Sequence, residues 1–429
     1  MDSRTLTAWL AHQQQQHPQT IALGLARIGE VAARLGLGRP ARQVITVGGT
    51  NGKGSTVAFI DAIARAAGLR VGAYTSPHLR RYNERVRIDG AEADDAALVA
   101  AFAAIEAARA DIPLTYFEYG TLAALRLFEA ADLDLAILEV GLGGRLDATN
   151  LVDADVAVVT TVDLDHQDWL GDDREAIGAE KAGILRAGKP CVLAERDPPS
   201  SLLRRAYALG AYAIRGFSDY LIDDLGDGRW RWREPGWSIE LPSPRLAAPS
   251  QRQNAAAAIA ALRALDLPLP GGVVPDAAIV EGVRGAQVPG RLQRLAAPPG
   301  QAETVVDVAH NPQAARELAA WLAANPRRTV AVFAALADKD IAGIVAPLAP
   351  HIAEWFTAAI TDAGPRGLDG GAMLARLQAA AAAAGVDVKA VACARLADAR
   401  AAAAAAAGPA DRVLVFGSFH TVAEALAGT

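Results

Sequence analysis

Residues 44–55, with the sequence VITVGGTNGKGS, lead from a short apolar run into a glycine-rich loop. The β-branched residues of Val44–Val47 predict a buried strand, and apolar residues at helical spacing from Ser55 to Ala67 predict a helix that stops at Gly68. A glycine-rich loop between a strand and a helix is the arrangement that binds phosphate in many proteins. The stretch therefore predicts an α/β fold built around a phosphate-binding loop.

The chemistry of this loop depends on its glycines and its lysine. Backbone N–H groups can turn inward around phosphate oxygens, and the helix N-terminus adds partial positive charge. We expect Lys53 to reach the β- and γ-phosphates of a nucleotide, and a hydroxyl of Ser55 or Thr56 to face a metal ion. The loop departs from the standard G-x-x-x-x-G-K-[ST] pattern, because Val47 replaces the leading glycine and Gly54 separates the lysine from the serine. The alternative is a glycine-rich turn with a solvent-exposed lysine.

The composition is that of a globular protein. The chain has 429 residues, of which 52% are hydrophobic and 21% charged, and a single core rarely exceeds about 250–300 residues, so we expect two domains. The net charge of −6 argues against a general nucleic-acid footprint, and the two cysteines argue against a disulfide framework or a cysteine-rich zinc site. The N-terminal residues lack a signal-peptide pattern, and no window of ~18 apolar residues predicts a membrane span. We expect a cytoplasmic location, where ATP is available.

Strand-like and helical runs alternate along the first part of the chain. Strands are predicted at Val71–Tyr74, Leu135–Val140, Val156–Val162 and Pro190–Ala194, and helices at about Tyr116–Ala131 and Asp173–Ala187. This alternation predicts a mostly parallel sheet that is covered on both faces.

The pattern changes in the middle of the chain and then restarts. Gly228–Leu241 alternates about a Pro-Gly turn and predicts an antiparallel hairpin, followed by a helix at about Gln251–Ala264. Later strands are predicted at Thr304–Val308, Arg328–Leu336, Glu354–Ile360, Val386–Val391 and Arg412–Gly417. The alanine runs at 379–384 and 401–407 predict helices, since alanine is the best helix former. We expect domains over residues 1–288 and 296–429, joined by a linker over 289–295.

Ionisable residues collect where two predicted strands end. Glu139 lies at the end of one strand, before the irregular loop 141–150, and Asp163, Asp165 and His166 follow the next. Ligands bind at the carboxyl ends of strands in open α/β sheets, and carboxylate oxygens suit Mg²⁺. The alternative is an ordinary polar loop.

Two further residues carry little signal by themselves. His78 follows the strand Val71–Tyr74, where a histidine is commonly a surface residue. Lys181 falls inside a predicted helix and taken alone is expected to be solvated.

A second motif, Val305-Val306-Asp307-Val308-Ala309-His310-Asn311-Pro312, ends a strand and opens a helix. Asn311 suits the N-cap and Pro312 the first helical position, so capping explains both residues. Capping does not explain Asp307 and His310. Arg291 lies in the expected linker, where a guanidinium could bind ATP phosphates when domains close, or could be a solvated cation.

Together these motifs resemble the bifunctional dihydrofolate synthase/folylpolyglutamate synthase family of the Mur ligase superfamily. The matching stretches run in order along nearly the whole chain: Gly49–Ser55, Thr75–Leu79, Asn83–Val86, Phe117–Thr121, Glu139–Asn150, Leu164–His166, Glu180–Ile184, Pro289–Arg291, Asp307–Pro312 and Phe416–His420. Two stretches depart from the family pattern: residues 333–337 replace a Gly-Met-Leu-type segment, and Ala179 stands where the family often has arginine.

The resemblance implies an ATP-dependent ligase that forms an amide between dihydropteroate and L-glutamate and adds glutamates to reduced folates through an acyl phosphate. It implies an N-terminal P-loop domain, a C-terminal Rossmann-like domain and an ATP site between them. It also implies Mg²⁺, small-molecule partners only and a monomer.

The resemblance assigns a role to each candidate site residue. The residues implied to bind the phosphates of ATP are Thr50, Asn51, Gly52, Lys53, Gly54 and Ser55. Those implied to contact ATP and the acyl phosphate are Asn254, Arg291, Asp307 and His310. The residues implied to bind the metal are Ser76, Glu139, His166 and a carbamylated Lys181. Those implied to line the pterin pocket are Phe117 and Asp147. Lys53, Arg291, Asp307 and His310 are the residues expected to take part in catalysis.

Three other functions are alternatives to this one. A peptidoglycan Mur ligase would need an N-terminal UDP-sugar domain, and the phosphate loop begins too early in the chain to leave room for it. A P-loop switch or motor would hydrolyse nucleotide without an acyl acceptor, and the Lys-Gly-Ser order and the second motif count against it. A binding protein with a degenerate site is disfavoured because the polar set is intact.

Overall fold

Two units make up the chain in the computed structural model, which describes residues 4–17, 19, 21–296, 300–361 and 363–427. The N-terminal unit comprises Met1–Arg245 and Gln251–Gln287, and the C-terminal unit comprises Leu246–Ser250 and Val288–Thr429. Part of the expected linker, residues 293–295, forms a strand of the C-terminal unit.

An eight-stranded sheet forms the centre of the N-terminal unit. Its strands are β1 Gln43–Gly48, β2 Val71–Tyr74, β3 Val86–Ile88, β4 Ala91–Glu92, β5 Leu135–Glu139, β6 Val156–Val159, β7 Pro190–Leu193 and β8 Tyr212–Arg215. Their order is β4-β3-β2-β5-β1-β6-β7-β8, parallel from β2 to β8 and antiparallel at β3 and β4. Val47 of β1 pairs with Glu139 of β5, and Gly48 pairs with Val159 of β6. The carboxyl ends of the three central strands therefore lie side by side.

Helices cover both faces of this sheet. They are α1 Leu6–Gln13, α2 Ala26–Arg34, α3 Lys53–Ala66, α4 Asp95–Arg109, α5 Tyr116–Ala130, α6 Gln167–Leu170, α7 Arg174–Lys181, α8 Ser200–Ala208, α9 Gln251–Arg263 and α10 Asp276–Gly285. Every residue of β5 is buried, and because successive strand residues point to opposite faces, both faces must be covered. Helix α3 packs against α9 and α10, and α4 packs against α5. No helix in the described residues is long and apolar enough to cross a membrane.

A small antiparallel sheet completes the N-terminal unit. Its strands are β9 Leu221–Gly226, β10 Arg229–Glu234 and β11 Trp237–Pro242. The hairpin of β10 and β11 was predicted, whereas β9 was not. Trp232 is fully buried, and its Nε1 donates a hydrogen bond of 3.2 Å to the carbonyl oxygen of Ala256 in α9, so this sheet is fixed to the helical layer.

The C-terminal unit has its own sheet and core. The strands are β12 Gln293–Leu295, β13 Glu303–Asp307, β14 Thr329–Phe333, β15 Glu354–Thr357, β16 Ala390–Ala392 and β17 Arg412–Phe416, in the order β12-β13-β17-β14-β15-β16. The helices are α11 Pro312–Ala324, α12 Ile341–Leu348, α13 Gly370–Ala383, α14 Leu396–Ala406 and α15 Phe419–Ala427. All strand pairs are parallel except β12 with β13. Both alanine runs lie in helices, α13 and α14, as predicted.

Several elements are shorter than predicted. Strand β6 ends at Val159 because the residues that follow bind the glycine-rich loop instead of a neighbouring strand. Helix α7 ends at Lys181 and continues only as a single 3-10 turn, Ala182–Ile184. The strand predicted over Val386–Val391 is wrong for its first half, since the backbone N–H of Val386 closes the end of α13 by donating to Ala381.

The close packing of α10 on α3 gives a test of the core. A Cβ added at Gly282 would lie 2.5 Å from backbone atoms of Ile63 in α3, whereas one at Gly285 would meet nothing within 4 Å. We predict that Gly282→Ala lowers the free energy of unfolding by about 1–3 kcal/mol, because helix backbones must separate. Gly285→Ala, at the end of the same helix, is the matched control and should be neutral or slightly stabilising. Thermal unfolding of both variants checks this, and equal midpoints would contradict the close approach.

Candidate active site

The glycine-rich loop turns tightly between β1 and α3. Gly49 has φ +145° and Gly52 has φ +88°, values that side-chain-bearing residues rarely adopt. A Cβ at Gly49 would overlap the hydroxyl of Thr160, and one at Gly52 would lie 2.5 Å from Asn254 Oδ1. Both glycines are therefore needed for backbone shape and for space, and Asn254 of α9 lies against the loop.

The residues after β6 hold this loop in place. Thr50 donates its backbone N–H to the Thr161 carbonyl at 2.7 Å, and its hydroxyl donates to the Asp163 carbonyl at 3.0 Å. The hydroxyl of Thr160 donates to the carbonyl of Asn51 at 2.6 Å. The loop conformation thus depends on a neighbouring strand as well as on its own glycines.

Lys53 is the first residue of α3, and its side chain folds back over the loop. Its Nζ donates to the carbonyl oxygens of Gly49 at 3.0 Å and Thr50 at 3.2 Å. The ammonium group is therefore held at the loop rather than extended into solvent, which contradicts the alternative of an exposed lysine in a simple turn.

Glu139 lies beside the loop at the end of β5. Its side chain is 5% exposed, and its Oε2 accepts a hydrogen bond of 3.1 Å from the backbone N–H of Ser76. A Cβ at Gly54 would stand 3.6 Å from the same oxygen. The loop, Glu139 and Ser76 therefore form one group of residues.

Lys181 is buried in this region. It is 3% exposed, so the expectation from its helical setting alone, a solvated lysine, is wrong. Burial and the nearby Lys53 cation lower the pKa of Lys181 to about 7, against the opposing effect of Asp165 and Glu195. A large fraction of this amine is consequently neutral near physiological pH.

His166 takes a left-handed backbone conformation, with φ +51°, before the short helix α6. Its backbone N–H donates a hydrogen bond to Asp165 Oδ1 at 2.9 Å. No group of three or more His, Cys, Asp or Glu side chains placed to hold a metal is present in the described part of the chain.

A cavity of about 530 Å³ adjoins these residues. Ser76 and His166 line it, and so do Phe117 and Asp147, the two residues assigned to a pterin pocket. Apolar side chains such as Leu142 and Leu146 form part of its wall. Four of the predicted site residues are thus brought together around one cavity of a size that suits a small ligand.

Asp147 is buried but well supplied with donors. Its Oδ2 accepts from the Leu142 backbone N–H at 2.8 Å, and its Oδ1 accepts from the Thr149 N–H at 3.0 Å and hydroxyl at 2.6 Å. Burial raises the pKa of Asp147, although these hydrogen bonds act in the opposite direction. The carboxyl group therefore fixes the loop 141–150 as well as lining the cavity. Gly141 leaves room for the Phe117 ring, which a Cβ there would approach to 2.7 Å.

The second motif forms a separate group within the C-terminal unit. Asp307 accepts from the backbone N–H groups of Leu292 and Ala309, each at 2.8 Å, and burial raises its pKa against the effect of Arg291. The Arg291 guanidinium lies 5.6 Å from the centre of the Phe419 ring, and the His310 ring lies 5.9 Å from the same ring. His310 Nδ1 lies 2.8 Å from the Val308 carbonyl, so Nδ1 carries the proton. Asn311 caps α11, as predicted.

Comparisons with known proteins agree with this arrangement. The Mur ligase middle domain matches residues 47–220, and the glutamate ligase domain of the Mur ligases matches residues 290–419. The dihydrofolate synthase/folylpolyglutamate synthase of Escherichia coli K12 is 47% identical over 98% of this chain and 94% of its own length. That of Haemophilus influenzae is 40% identical over 98% of this chain and 96% of its own. The chain belongs to the dihydrofolate synthase/folylpolyglutamate synthase family of Mur ligases.

Solved structures of relatives extend the likeness to the fold. An Escherichia coli structure in complex with DHPP and ADP has a TM-score of 0.91 at 46% identity and covers 99% of this chain and 98% of that one. A bifunctional folylpolyglutamate synthase/dihydrofolate synthase with Mn, AMPPNP and L-glutamate bound has a TM-score of 0.88 at 46% identity, with 99% and 98% covered. The resemblance drawn from the motifs and the α/β fold class are both confirmed.

One pair of residues that supports the phosphate loop, Arg174 and Glu195, was not identified from the sequence. Arg174 donates to the Val162 carbonyl at 2.8 Å, and it lies 3.2 Å from Glu195, which accepts from the Val162 N–H at 3.3 Å. Arg174 and Glu195 thus fix Val162, in the segment that hydrogen-bonds Thr50 and Asn51. The only signal in the sequence was the position of Glu195 just after a strand.

Glu195 gives a pH test of this arrangement. Burial raises the pKa of Glu195 from 4.5 to about 7, against hydrogen bonds from Val162 and Arg174. Between these two values the folded carboxyl holds a proton that the unfolded one has lost, so stability falls as pH rises through this window. We predict that Glu195→Gln removes this part of the pH dependence from thermal unfolding.

The control is Glu92→Gln at the exposed strand β4. The midpoint of the wild type relative to Glu195→Gln should decrease from pH 4.5 to about 7, the window set by the pKa of Glu195. If the difference in unfolding midpoint between the wild type and Glu195→Gln stays constant over this range, the raised pKa of Glu195 is contradicted. The same holds if Glu92→Gln gives the same pH-dependent difference.

Proposed function

We infer that this chain is an ATP-dependent ligase that joins dihydropteroate to L-glutamate and adds further glutamates to reduced folates through an acyl phosphate. The observation that carries this is the cavity lined by Phe117, Asp147, Ser76 and His166, in which Ser76 also bonds Glu139 beside the phosphate loop. It provides a place for an aromatic acid whose carboxylate must reach a nucleotide phosphate. The ligands of the solved relatives, DHPP, ADP, AMPPNP and L-glutamate, support the same substrates.

The reaction proceeds in two steps. A carboxylate oxygen of the acceptor attacks the γ-phosphorus of ATP, the bond to the β-phosphate oxygen breaks, and ADP leaves. The amine of L-glutamate then attacks the carbonyl carbon of the acyl phosphate, inorganic phosphate leaves, and the nitrogen loses a proton to give the amide. Lys53, held at the loop, stabilises the charge of the transferring phosphoryl group.

A divalent metal fits the residues beside the loop. Glu139 and Ser76 offer oxygen atoms, which Mg²⁺ prefers, and His166 lines the same cavity as Ser76. Carbamylation of Lys181 would add an anionic oxygen donor beside them. When bound, the metal neutralises phosphate charge.

The remaining assignments follow the family. Thr50–Ser55 and Asn254 bind ATP, and Arg291, Asp307 and His310 contribute to ATP and the acyl phosphate. We also propose that the protein works as a monomer in the cytoplasm, where ATP and L-glutamate are available.

Phosphate release tests the function. Purified protein with Mg-ATP and L-glutamate should release phosphate only when 7,8-dihydropteroate is added, with dihydrofolate as the product by mass spectrometry. Replacing dihydropteroate by a reduced folate tests tail extension. Release without any acceptor would favour the P-loop switch, and absence of amide with both acceptors would overturn the ligase assignment.

Lys53→Met tests the role of the loop lysine. We predict a loss of about a hundredfold or more in kcat, the scale of removing one preorganised charge-stabilising donor. Lys189→Met is the control, since Lys189 is surface-exposed and pairs with Asp155 at 3.2 Å. Similar rates for both variants would contradict the assigned role.

Lys181 should react with carbon dioxide. With its pKa near 7, the neutral amine that attacks CO2 is abundant at physiological pH. We predict one carbamate signal by carbon NMR after incubation with labelled bicarbonate, lost in Lys181→Met and retained in Lys189→Met. A spectrum that the Lys181 substitution leaves unchanged would disprove carbamylation at this position.

A further inference from the structure

Arg85 is a buried cation in the wall of the cavity. It ends the 3-10 turn Tyr82–Arg85, is 8% exposed, and lines the cavity together with Ser76 and Phe117. Two arginines are buried in the described part of the chain, and the other, Arg412, lies 3.6 Å from the Glu303 carboxylate. No carboxylate of the described residues forms a salt bridge with Arg85.

The two carboxylates that line the cavity, Glu118 and Asp147, accept hydrogen bonds from donors other than Arg85. Glu118 accepts from Arg27 Nε at 3.0 Å and from the Thr115 N–H at 2.8 Å. Asp147 accepts from Leu142 and Thr149, as described above. A buried charge is normally paired, so the cavity contains a cation whose counter-charge the protein does not supply.

The Arg85 guanidinium is nevertheless held in a fixed orientation. Its Nε donates to His78 Nδ1 at 2.8 Å, and its carbon lies 5.4 Å from the Tyr82 ring centre and 5.5 Å from that of Tyr116. Aromatic rings stabilise a guanidinium through cation-π contact. The hydrogen bond to His78 uses Nε, and the Tyr74 hydroxyl also interacts with the guanidinium, so the remaining Nη hydrogens are the donors for a ligand.

We propose that Arg85 anchors the carboxylate of the acceptor substrate in this cavity. A guanidinium can bind a carboxylate with two parallel hydrogen bonds, which fixes orientation as well as adding affinity. Arg85 lines the same cavity as Ser76, a proposed metal ligand. The carboxylate of the acid is therefore held in the cavity that Ser76 also lines, and the apolar part of the cavity receives the ring system. This inference rests on the proposed function.

The test compares an acid with its neutral counterpart. Calorimetry with Mg-ADP present measures binding of 7,8-dihydropteroate and of its carboxamide to the wild type, Arg85→Gln, Arg85→Lys and Arg81→Gln. Arg85→Gln should weaken binding of the acid by about 10- to 100-fold, the range for a hydrogen bond to a charged group, and leave the carboxamide almost unaffected. Arg85→Lys should recover part of the preference for the acid, because it restores charge but not the paired geometry.

Arg81→Gln is the matched control, four residues away, with a side chain that is 64% exposed. It should bind both ligands as the wild type does. A purely structural role for Arg85 predicts equal losses for acid and carboxamide, and this outcome would overturn the proposal. If Arg85→Gln does not fold, the acid preference of Arg85→Lys relative to the wild type decides in the same way.

The two levels of inference can fail separately. If the wild type forms dihydrofolate but Arg85→Gln keeps the full preference for the acid, the anchor is disproved and the ligase function stands. If the wild type neither binds dihydropteroate nor forms an amide, the ligase function fails, and the anchor fails with it.

Discussion

The hydrogen bonds between the phosphate loop and the end of the neighbouring strand are the interaction on which this site depends. Strand β1 lies between β5 and β6, so its loop can be held from one side by Thr160 and Thr161 and can face Glu139 on the other. The parallel register brings these strand ends to one edge of the sheet. Gly49 allows the loop to pass directly against the Thr160 hydroxyl. The site is therefore a property of the sheet order and not of the loop alone.

Burial of ionisable groups at this edge of the sheet lowers the free energy of unfolding, and it also shifts their pKa values towards neutral pH. Lys181 and Glu195 both have a pKa near 7 because desolvation disfavours their charged forms. Asp147 is buried too, but three donors hold it in place. Strongly shifted groups collect at functional sites because reactivity requires such environments. The surrounding apolar core, including Phe128 and Leu138, supplies the stability that this arrangement removes.

The sequence predicted most central strands well because their apolar runs are continuous and fully buried. It extended β6 to Val162 since Thr160–Val162 continue the β-branched pattern, and only the fold shows that these residues bind the loop. The burial of Lys181 could not be read from helical spacing, which describes one helix and not what packs over it; the family resemblance alone indicated it. Arg85 lies in the stretch Asn83–Val86 that matches the family, but its burial could not be predicted, since an arginine beside a turn is ordinarily solvated and its burial depends on distant Tyr116.

The departure of the loop from the standard pattern has a physical explanation in this fold. Gly54 is the second residue of α3 and has an ordinary backbone conformation, so its lack of a side chain is not needed for a turn. A Cβ there would lie 3.6 Å and 3.7 Å from the two carboxylate oxygens of Glu139. Any side chain at this position would occupy the space directly in front of the carboxylate. The Lys-Gly-Ser order therefore keeps open the gap between the loop and Glu139, where we propose that a metal and a phosphate bind, while Ser55 follows one position later, buried on α3.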